Sequence, residues 1–571
     1  MSLLQILWIR VFLLLLGRTL WCFAEITYIE VRLPLPGERA VPGSPWPAPQ
    51  NWNTSNRQLI LDPDTFYVTS NADTCDVIAK AMGRYRNIIF LNSKPICKED
   101  VRSPLPGLHV VVDRFKDEHF VCICPLYVVP ASEHQFISCI YCQYPRHGQN
   151  ETYTLEVPDE GEAVLKSQTV WGALRGLETF SQLVYEEDKT GKLLINATEI
   201  EDFPRFGFRG ILVDSARHFL PVDVIKQNLD AMAYNKFNVL HWHIVDDQSW
   251  PLELRTFPNL TESAFSRRYV YSKADVQDIV EYARLRGIRV IPEIDTPGHT
   301  QALGKIFPDL LTPCYGNGTR GTPNYPKHAA FEMLDPTKNI TYDVVNEILK
   351  EVADTFKDEY LHLGMDEVSY DCWKSSPEIK EFMEQHCMSD VNEVEQYYIR
   401  RTFEKLEGSG SKLMIWQDPI DNDVQVPEGT LVGVWKNSSL CAEVNNWREH
   451  VSRTVRKGYQ VVLSACWYLN YISYGEDWKR YYQCDPTSFE GTQREKDLVV
   501  GGEATVWGEY IDGNNLIPTL WPRACAVAER LWSSVSFNNT DDASFRLDQQ
   551  RCRMVRRGIS AQPILNGFCS D

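Results

Sequence analysis

The sequence carries little positive charge for its size. Its 571 residues include 58 Lys and Arg against 77 Asp and Glu, so the formal net charge is −19. Phosphate backbones are bound by basic patches, and this balance therefore argues against a nucleic-acid partner. An acidic surplus suits a soluble protein, including one that works in an acidic compartment.

Long apolar runs are missing after the N-terminus, so we predict no stable membrane span. Residues 11–16 are apolar, but Arg10 and Arg18 bound the stretch and make it too short for a permanent anchor. A basic residue before a short apolar stretch, with Ala24 at the cleavage point, is typical of a secretory signal. We therefore predict a signal peptide over residues 1–24 and a mature protein that is lysosomal or extracellular.

Cysteine, by contrast, is abundant, with 16 residues. In a secreted chain this number predicts several disulfides. We expect Cys552 and Cys569 to bridge the C-terminal segment. We also expect Cys75 to pair with one of four later cysteines, Cys122, Cys124, Cys139 and Cys142. These four have a spacing that metal sites also use, but no neighbouring His completes such a site, so disulfides are favoured and no metal is predicted.

Asn-X-Ser/Thr sequons are spread along the whole chain, which is typical of an N-glycosylated protein of the secretory pathway. The predicted acceptors are Asn53, Asn150, Asn196, Asn259, Asn317, Asn339, Asn437 and Asn538.

The mature chain divides into two predicted α/β domains. Residues 25–203 mix strands and helices, and their function is not evident from the sequence. Over residues 204–571 an apolar strand, a polar strand end and a helix recur, which predicts a (β/α)8 TIM barrel. The predicted strands are 210–214, 237–245, 288–294, 360–364, 412–416, 430–435, 460–465 and 498–504. The clearest predicted helices are 222–234, 273–285, 342–356, 393–406 and 447–457, and a helical segment over 516–532, with Pro522 near its start, follows the last strand.

Polar and aromatic side chains collect at the C-terminal ends of all eight predicted strands. In a TIM barrel these ends form the face that carries the active site. In strand order they are Asp214 and Arg217; His241, His243, Asp246 and Asp247; Glu293, Asp295 and His299; Asp366 and Glu367; Trp416; Trp435; Trp467, Tyr468 and Asn470; Glu503, Trp507 and Glu509. Any one of them could be structural, but their convergence predicts an active site.

Asp366 and Glu367 are adjacent acids at the end of the fourth strand. Like charge and partial desolvation push the pKa values of such neighbours apart, so that one holds a proton and the other stays ionised. Adjacent acids cannot easily straddle a scissile bond. We therefore predict Glu367 as the general acid/base and Asp366 as a group that holds the substrate, with the sugar supplying its own nucleophile. The 16 Trp residues suit a pocket that stacks on sugar rings.

Five motifs extend this interpretation to a known family. They are HLGMDE at 362–367, HWHIVDD at 241–247, DTPGHT at 295–300, WYLN at 467–470 and WGEY at 507–510. Together they closely resemble the family 20 β-N-acetylhexosaminidases, above all the lysosomal β-hexosaminidase subunits of animals. The resemblance covers nearly the whole mature chain, including VWGALRGLET at 170–179 in the first domain.

The resemblance implies removal of terminal, non-reducing β-linked N-acetylglucosamine or N-acetylgalactosamine from a glycan, with retention and without a cofactor. It implies that the acetamido oxygen of the substrate attacks the anomeric carbon and forms an oxazolinium-type intermediate. Glu367 would be the acid/base, Asp366 would orient the acetamido N–H, and Tyr468 would bind the acetamido oxygen. Asp246 and His299 would form a relay that supports Glu367.

The resemblance also implies the substrate pocket, one disulfide and the assembly. The substrate-binding residues would be Arg217, Trp416, Trp435, Trp467, Asn470, Trp507 and Glu509. Cys314 and Cys372 would form a disulfide that braces the loop near the acids, and the chain would form a homodimer.

Two positions depart from the family pattern or vary within it. The family usually has Gly where this chain has Met365, and glycine makes room near crowded backbone, so Met365 is expected to shift the acid pair or to reshape the pocket floor. Related subunits use the Asn470-Tyr471 position to accept or reject negatively charged substrates. Because Tyr471 supplies no cation, we expect a preference for neutral glycosides.

Three other hypotheses fit parts of the sequence. A non-catalytic sugar-recognition protein on the same fold should lack Asp366, Glu367 or Tyr468, but all three are present. A metal-dependent barrel hydrolase would use the two His of His241-Trp242-His243, which lie on one strand face. An endo-acting chitinase would space its acids along a strand instead of placing them side by side.

Overall fold

The computed structural model describes residues 40–91, 102–113, 143–187, 190–323, 329–437, 447–471, 473 and 475–569. The predicted signal peptide and the four proposed partners of Cys75 lie outside these residues. Cys75 itself is disulfide-bonded. In the described part of the chain, no helix combines the length and the apolar character needed to cross a bilayer.

The N-terminal domain is a seven-stranded mixed sheet with two helices packed on it. Alternation of side chains shapes the sheet, as in Tyr153–Val157, where every second residue is buried. The strands are Asn51–Leu61, Tyr67–Ser70, Gly107–Val112, Tyr153–Val157, Ala163–Ser167, Tyr185–Glu186 and Leu193–Asp202. The helices are Asp76–Ile89 and Val170–Leu183.

The helix Val170–Leu183 is buried on all sides because it lies between the sheet and the barrel. The hydroxyl of Thr169 caps its first turn by accepting a hydrogen bond from the backbone N–H of Gly172 at 3.2 Å. A Cβ at Gly176 would come within 2.1 Å of the Leu165 side chain, so a glycine is needed for the helix to approach the sheet. Charged side chains of this helix face the barrel and fix the contact described next.

Glu151 joins the two domains through a buried ion-pair cluster. Its carboxylate accepts hydrogen bonds from Arg175 of the buried helix at 2.8 Å and from Arg209 of the first barrel strand at 2.7 Å. Asn238 contacts the same carboxylate at 3.3 Å. Although burial alone would raise the pKa of Glu151, the two arginines lower it below its ordinary value.

The second domain is a closed barrel of eight parallel strands, so the predicted (β/α)8 fold is confirmed. The strands are Phe208–Asp214, Val239–His243, Arg289–Thr296, Tyr360–Gly364, Lys412–Trp416, Leu431–Val434, Gln460–Leu463 and Val499–Val506. The eighth strand pairs with the first and closes the ring. Most strand residues are buried, as expected where helices cover a parallel sheet.

Helices separate most of the strands and follow the predicted pattern. The main ones are Val222–Tyr234, Lys273–Arg284, Asn339–Phe356, Val391–Leu406, Trp447–Arg456, Arg523–Trp532 and the C-terminal Thr540–Arg556. The prediction of one helix over 516–532 was wrong. It is divided into Leu516–Leu520 and Arg523–Trp532, because Pro522 has no backbone N–H to continue the first helix. Only the short helix Asp418–Asp421 lies between the fifth and sixth strands.

Shorter elements lie in the connections between the main strands and helices of the barrel. They are the helices Gln301–Ile306, Tyr370–Ser375, Pro377–Gln385, Trp478–Gln483 and Gln493–Lys496, the 3-10 turns Pro258–Ser263 and Pro308–Leu310, and the two-stranded sheet of Leu311–Pro313 and Phe331–Leu334.

Three disulfides lie within the described residues. Cys314–Cys372 and Cys552–Cys569 were predicted, whereas Cys466–Cys484 was not. Of the eight sequon asparagines, Asn196 is half-buried and donates its amide to the Ser55 carbonyl at 2.9 Å, while the other seven are exposed. Glycosylation at these sites stays a prediction.

Candidate active site

The acid pair follows the fourth barrel strand, Tyr360–Gly364, in an unusual backbone turn. Gly364, Met365 and Glu367 have φ values of 68°, 68° and 51°, all in the left-handed region. A Cβ at Gly364 would lie 1.6 Å from an oxygen of Asp295, so this position requires glycine. The turn places the Asp366 side chain in the interior, 12% exposed, and the Glu367 side chain at the mouth of a cavity, 58% exposed.

A relay of charged groups leads from the barrel wall to Glu367. Asp246 lies 3.3 Å from Nδ1 of His299, and Nε2 of His299 lies 3.4 Å from Glu367. The other oxygen of Asp246 contacts Arg217 at 2.7 Å and His243 at 2.9 Å. The structure therefore brings Asp246, His299 and Glu367 together as the sequence predicted.

His299 lies between several acids. Burial alone would lower its pKa, but Asp295, together with hydrogen bonds to Asp246 and Glu367, raises it well above the ordinary value. Its Nε2 also lies 3.8 Å from Asp366. Both members of the acid pair thus lie within 4 Å of the same nitrogen.

The pKa values of Asp366 and Glu367 differ, as predicted. The higher value, however, belongs to Asp366 and not to Glu367, the predicted general acid. Burial raises the pKa of Asp366 to about 7, although His299 opposes the shift. The hydrogen bond from His299 lowers the pKa of Glu367 below its ordinary value, although partial burial opposes it. Asp366 is therefore the acid of the pair that takes up a proton first as the pH falls.

Asp295 adds a second buried acid behind Asp366. One of its oxygens accepts a hydrogen bond from the backbone N–H of Met365 at 3.2 Å. Burial and the charge of Asp366 raise the pKa of Asp295 well above the ordinary value. Its other oxygen, and one oxygen of Asp366, are buried without a hydrogen-bond partner among the described residues.

The cavity itself has a volume of about 180 Å³ and a largely aromatic wall. Its lining residues are Arg217, His243, Asp295, His299, Asp366, Glu367, Trp416, Trp435, Tyr468, Asn470, Tyr471, Trp507 and Glu509. The ring centroids of Trp416 and Trp507 are 6.0 Å apart, and the Arg217 guanidinium lies 5.2 Å from the Trp507 ring. A space of this size between aromatic faces suits one sugar ring.

Two of the predicted site residues do not line this cavity. Trp467 is fully buried, and its indole N–H donates to the main-chain carbonyl of Tyr481 at 3.0 Å, so it supports the loop instead of facing a ligand. Asp246 lies one layer behind the wall, as its predicted relay role requires. The other predicted catalytic and substrate-binding residues all line the cavity.

The floor of the cavity is a buried network around Glu293. Its carboxylate lies 2.7 Å from His243, 3.0 Å from His241 and 3.1 Å from His362. Trp416 donates its indole N–H to the same carboxylate at 2.8 Å.

The two His of the metal hypothesis both lie close to buried acids. Although burial alone would lower both values, neighbouring acids raise the pKa of His241 to about 9 and that of His243 to about 10. His241 lies 3.0 Å from Glu293 and 3.2 Å from Glu503, and His243 lies 2.7 Å from Glu293 and 2.9 Å from Asp246.

Asp418 is a site residue that the sequence analysis missed. It accepts hydrogen bonds from the backbone N–H of Glu367 at 3.3 Å and from the indole of Trp435 at 2.8 Å. Lys436 contacts it at 2.9 Å. Asp418 thus links the catalytic turn to one aromatic wall. Its position two residues beyond Trp416, at the end of the fifth strand, was the available signal.

Comparison with known proteins decides the family. The model of the glycosyl hydrolase family 20 catalytic domain matches residues 206–535, and a model described as beta-acetyl hexosaminidase like matches residues 45–183. The chain is 44% identical to the human beta-hexosaminidase subunit beta over 544 residues, which cover 94% of this chain and 91% of that protein.

This chain belongs to glycoside hydrolase family 20.

Other family members agree with this placement. The bovine beta-hexosaminidase subunit alpha is 43% identical, with 92% of this chain and 94% of that protein covered. A solved structure of a chitobiase from Flavobacterium johnsoniae aligns with a TM-score of 0.74 and 27% identity, covering 90% of this chain and 73% of that one. The chain is therefore a glycoside hydrolase.

In this family 20 member, Met365 is an unusual residue type for the backbone conformation at its position. Its φ of 68° is a conformation that glycine adopts freely and other residues adopt at a cost. The side chain is fully buried in the main hydrophobic core of the barrel. Met365 thus combines a strained backbone with a well-packed side chain directly before the acid pair.

Proposed function

We propose that this glycoside hydrolase removes terminal, non-reducing β-linked N-acetylglucosamine or N-acetylgalactosamine from glycans, glycoconjugates or chitooligosaccharides. The observation that carries the proposal is the acid pair at the end of a one-sugar cavity. The acids are adjacent in the chain, and both lie near Nε2 of His299, Glu367 at 3.4 Å and Asp366 at 3.8 Å. A pair of this kind cannot act as acid and nucleophile across one bond, so the nucleophile comes from the substrate.

In the first step the acetamido oxygen of the substrate attacks the anomeric carbon while the bond to the leaving oxygen breaks. Glu367 gives its proton to that leaving oxygen. The product of the step is an oxazolinium ion, and its positive charge develops next to Asp366. Asp366 accepts a hydrogen bond from the acetamido N–H, and Tyr468 donates its hydroxyl to the acetamido oxygen.

In the second step Glu367, now ionised, removes a proton from a water molecule that attacks the anomeric carbon. The oxazolinium ring opens and the sugar leaves with its original configuration. His299 and Asp246 hold Glu367 in place and balance its charge during both steps. Two displacements at one carbon give overall retention.

Substrate binding adjusts the protonation of the two acids in the required direction. A sugar in the cavity removes water from Glu367, which favours the neutral carboxylic acid. The acetamido N–H gives Asp366 a hydrogen bond that favours its carboxylate. Substrate binding therefore shifts the proton of the pair from Asp366 to Glu367.

The remaining lining residues bind the sugar. Trp416, Trp435 and Trp507 enclose the ring and the acetamido methyl group. Arg217, Asn470 and Glu509 hydrogen-bond its hydroxyl groups. The lining contains four acids, Asp295, Asp366, Glu367 and Glu509, but only one arginine, so we expect a 6-sulfated substrate to be cleaved roughly tenfold more slowly than its neutral counterpart. Equal rates would contradict this expectation.

The proposal is tested with two chromogenic substrates that differ only at C2. The β-N-acetylglucosaminide should be cleaved, and the β-glucoside, which lacks the acetamido group, should not. Nuclear magnetic resonance of the first-formed sugar should show the β anomer. Cleavage of both substrates would exclude substrate assistance, and binding of the sugar without cleavage would support a non-catalytic recognition protein.

We also infer passage through the secretory pathway, to the lysosome or the extracellular fluid, and assembly as a homodimer. The disulfides and the seven exposed sequon asparagines support the first inference. The inferred homodimer rests on the resemblance, because members of this family commonly form dimers. Light scattering of the purified glycoprotein tests the assembly, because a homodimer has twice the mass of the chain.

A further inference from the structure

The unpredicted disulfide Cys466–Cys484 lies next to the active-site cavity. Cys466 comes three residues after the seventh barrel strand and two residues before Tyr468. Cys484 directly follows the helix Trp478–Gln483. Of the residues between the two cysteines, Tyr468, Asn470 and Tyr471 line the cavity. The disulfide therefore closes the loop that supplies this part of the wall.

The helix at the far end of the disulfide is firmly attached to the barrel. Asp477, at its start, forms an ion pair with Arg523 at 2.5 Å. The hydroxyl of Tyr482 donates to Glu529 at 2.7 Å. Both partners belong to the buried helix Arg523–Trp532. Cys484 is thus part of a rigid body.

The turn at the near end is held by hydrogen bonds, including one of 2.9 Å that Arg523 donates to the main-chain carbonyl of Leu469. Its backbone pairs with the eighth strand through two hydrogen bonds of 2.9 Å, which join Thr505 to Trp467 and Leu469. The indole of Trp467 reaches the helix at the carbonyl of Tyr481. The Tyr468 ring stacks on Tyr471, with centroids 5.5 Å apart, and Tyr471 is itself 58% exposed. The Cys466 sulfur is the one covalent link among the described residues between this turn and the helix.

We propose that Cys466–Cys484 is a positioning device for Tyr468, which fixes the turn against the helix Trp478–Gln483 so that the tyrosine hydroxyl meets the acetamido oxygen. This inference rests on the proposed role of Tyr468. Because a misplacement of about 1 Å can cost up to about 10²-fold in rate, a small relaxation of the turn has a measurable effect. The two cysteines act through Tyr468 and do not touch the substrate.

The chain offers a matched control in Cys552–Cys569. Its sequence separation is 17 residues, against 18 for Cys466–Cys484, so removing either bond releases a similar amount of chain entropy. Neither Cys552 nor Cys569 lines the cavity. If the two double variants differ in kcat/KM, the difference is therefore due to the position of the disulfide and not to the length of the loop that it closes.

The experiment compares wild type, C466S/C484S and C552S/C569S with the chromogenic β-N-acetylglucosaminide, well below the melting temperature of each. We expect C466S/C484S to lose on the order of 10-fold in kcat/KM, while C552S/C569S keeps the wild-type value. The same pair of cysteines is then replaced in a Y468F background. There the further loss should be under about twofold, because the group that the disulfide positions is gone.

Two results would overturn the inference. An equal loss in the presence and absence of the Tyr468 hydroxyl would show that the disulfide acts elsewhere, and equal losses in the two cysteine variants would show general stabilisation. An inactive wild type would instead refute the proposed function. If C466S/C484S does not fold, folded wild type is treated with graded dithiothreitol, and the activity is compared with the fraction of Cys466 that alkylation finds reduced. Activity independent of that fraction would also contradict the inference.

Discussion

Glu151 at the domain junction and Asp366 in the cavity are both buried carboxylates, yet their pKa values move in opposite directions. Glu151 meets two arginines, and its pKa falls. Asp366 is surrounded mainly by other acids, keeps one oxygen without a partner among the described residues, and has a pKa of about 7. The junction acid is already satisfied within the protein, whereas in the proposed function a ligand N–H donor satisfies the cavity acid.

The largest expected effect is a loss of activity without a loss of stability, and it comes from a change in the cavity. Replacing Glu367 by Gln keeps the size of the side chain but removes the transferable proton, so kcat should fall on the order of 10²–10⁴-fold. Because the side chain is half-exposed, the melting temperature should stay near that of wild type. Steady-state kinetics and thermal unfolding of the same preparation measure both. Retention of full activity would remove Glu367 from the proposed role.

The matching change at the junction should have the opposite profile. In E151Q the side chain keeps its shape, but Arg175 and Arg209 are left as buried cations without an anion. Breaking a buried ion pair in this way costs about 3–5 kcal/mol. We expect a clear drop in the denaturation midpoint, with kcat per folded molecule unchanged. A loss of kcat without a loss of stability would show that the junction acid communicates with the cavity.

The pH profile tests the raised pKa of Asp366 directly. The active enzyme carries one proton on the pair, so kcat/KM should fall as the pH rises through the pKa of about 7, where the last proton leaves. In D366N only Glu367 titrates, and its pKa lies below the ordinary value. The alkaline limb should therefore move to lower pH in this variant. An alkaline limb that stays in place would assign it to another group.

The smallest effect concerns Met365, whose backbone and packing act against each other. M365A keeps the left-handed strain and loses buried contacts, at a cost of about 2–5 kcal/mol. M365G loses the same contacts but relieves a strain of about 1–2 kcal/mol, so it should be the more stable variant of the two. A glycine usually makes a protein less stable than an alanine at the same position. A more stable M365G would therefore indicate that the left-handed strain at this position has been relieved. Denaturation midpoints of both variants decide it.

The barrel was predictable because its strands are apolar on both faces and end in polar residues. The strand Tyr360–Gly364 and the helix Val222–Tyr234 have the predicted limits. The direction in which a single side chain points was harder to predict from the sequence. Trp467 was assigned to the substrate, but adjacent residues on a turn point to different sides, and its indole faces a helix. Only three-dimensional proximity, a Cα–Cα distance of 6.5 Å, identifies Cys466 and Cys484 as partners.

The protonation order of the acid pair also lay beyond the sequence. Adjacency predicted that the two pKa values would separate. Their order depends on which side chain is buried, and that follows from the left-handed turn at Gly364, Met365 and Glu367. Met365 and Glu367 are residue types that do not indicate a left-handed backbone, so this turn could not be predicted from them.

The closed floor of the cavity has a kinetic consequence. Glu293 and its histidines fill the barrel below Trp416, so a ligand that enters has one way in and the same way out. The released monosaccharide must leave before the shortened chain can return, and that chain has to dissociate after every cut. We therefore expect hydrolysis to be distributive, with one sugar residue removed per encounter. At high turnover, free N-acetylhexosamine competes with the next substrate for the same mouth.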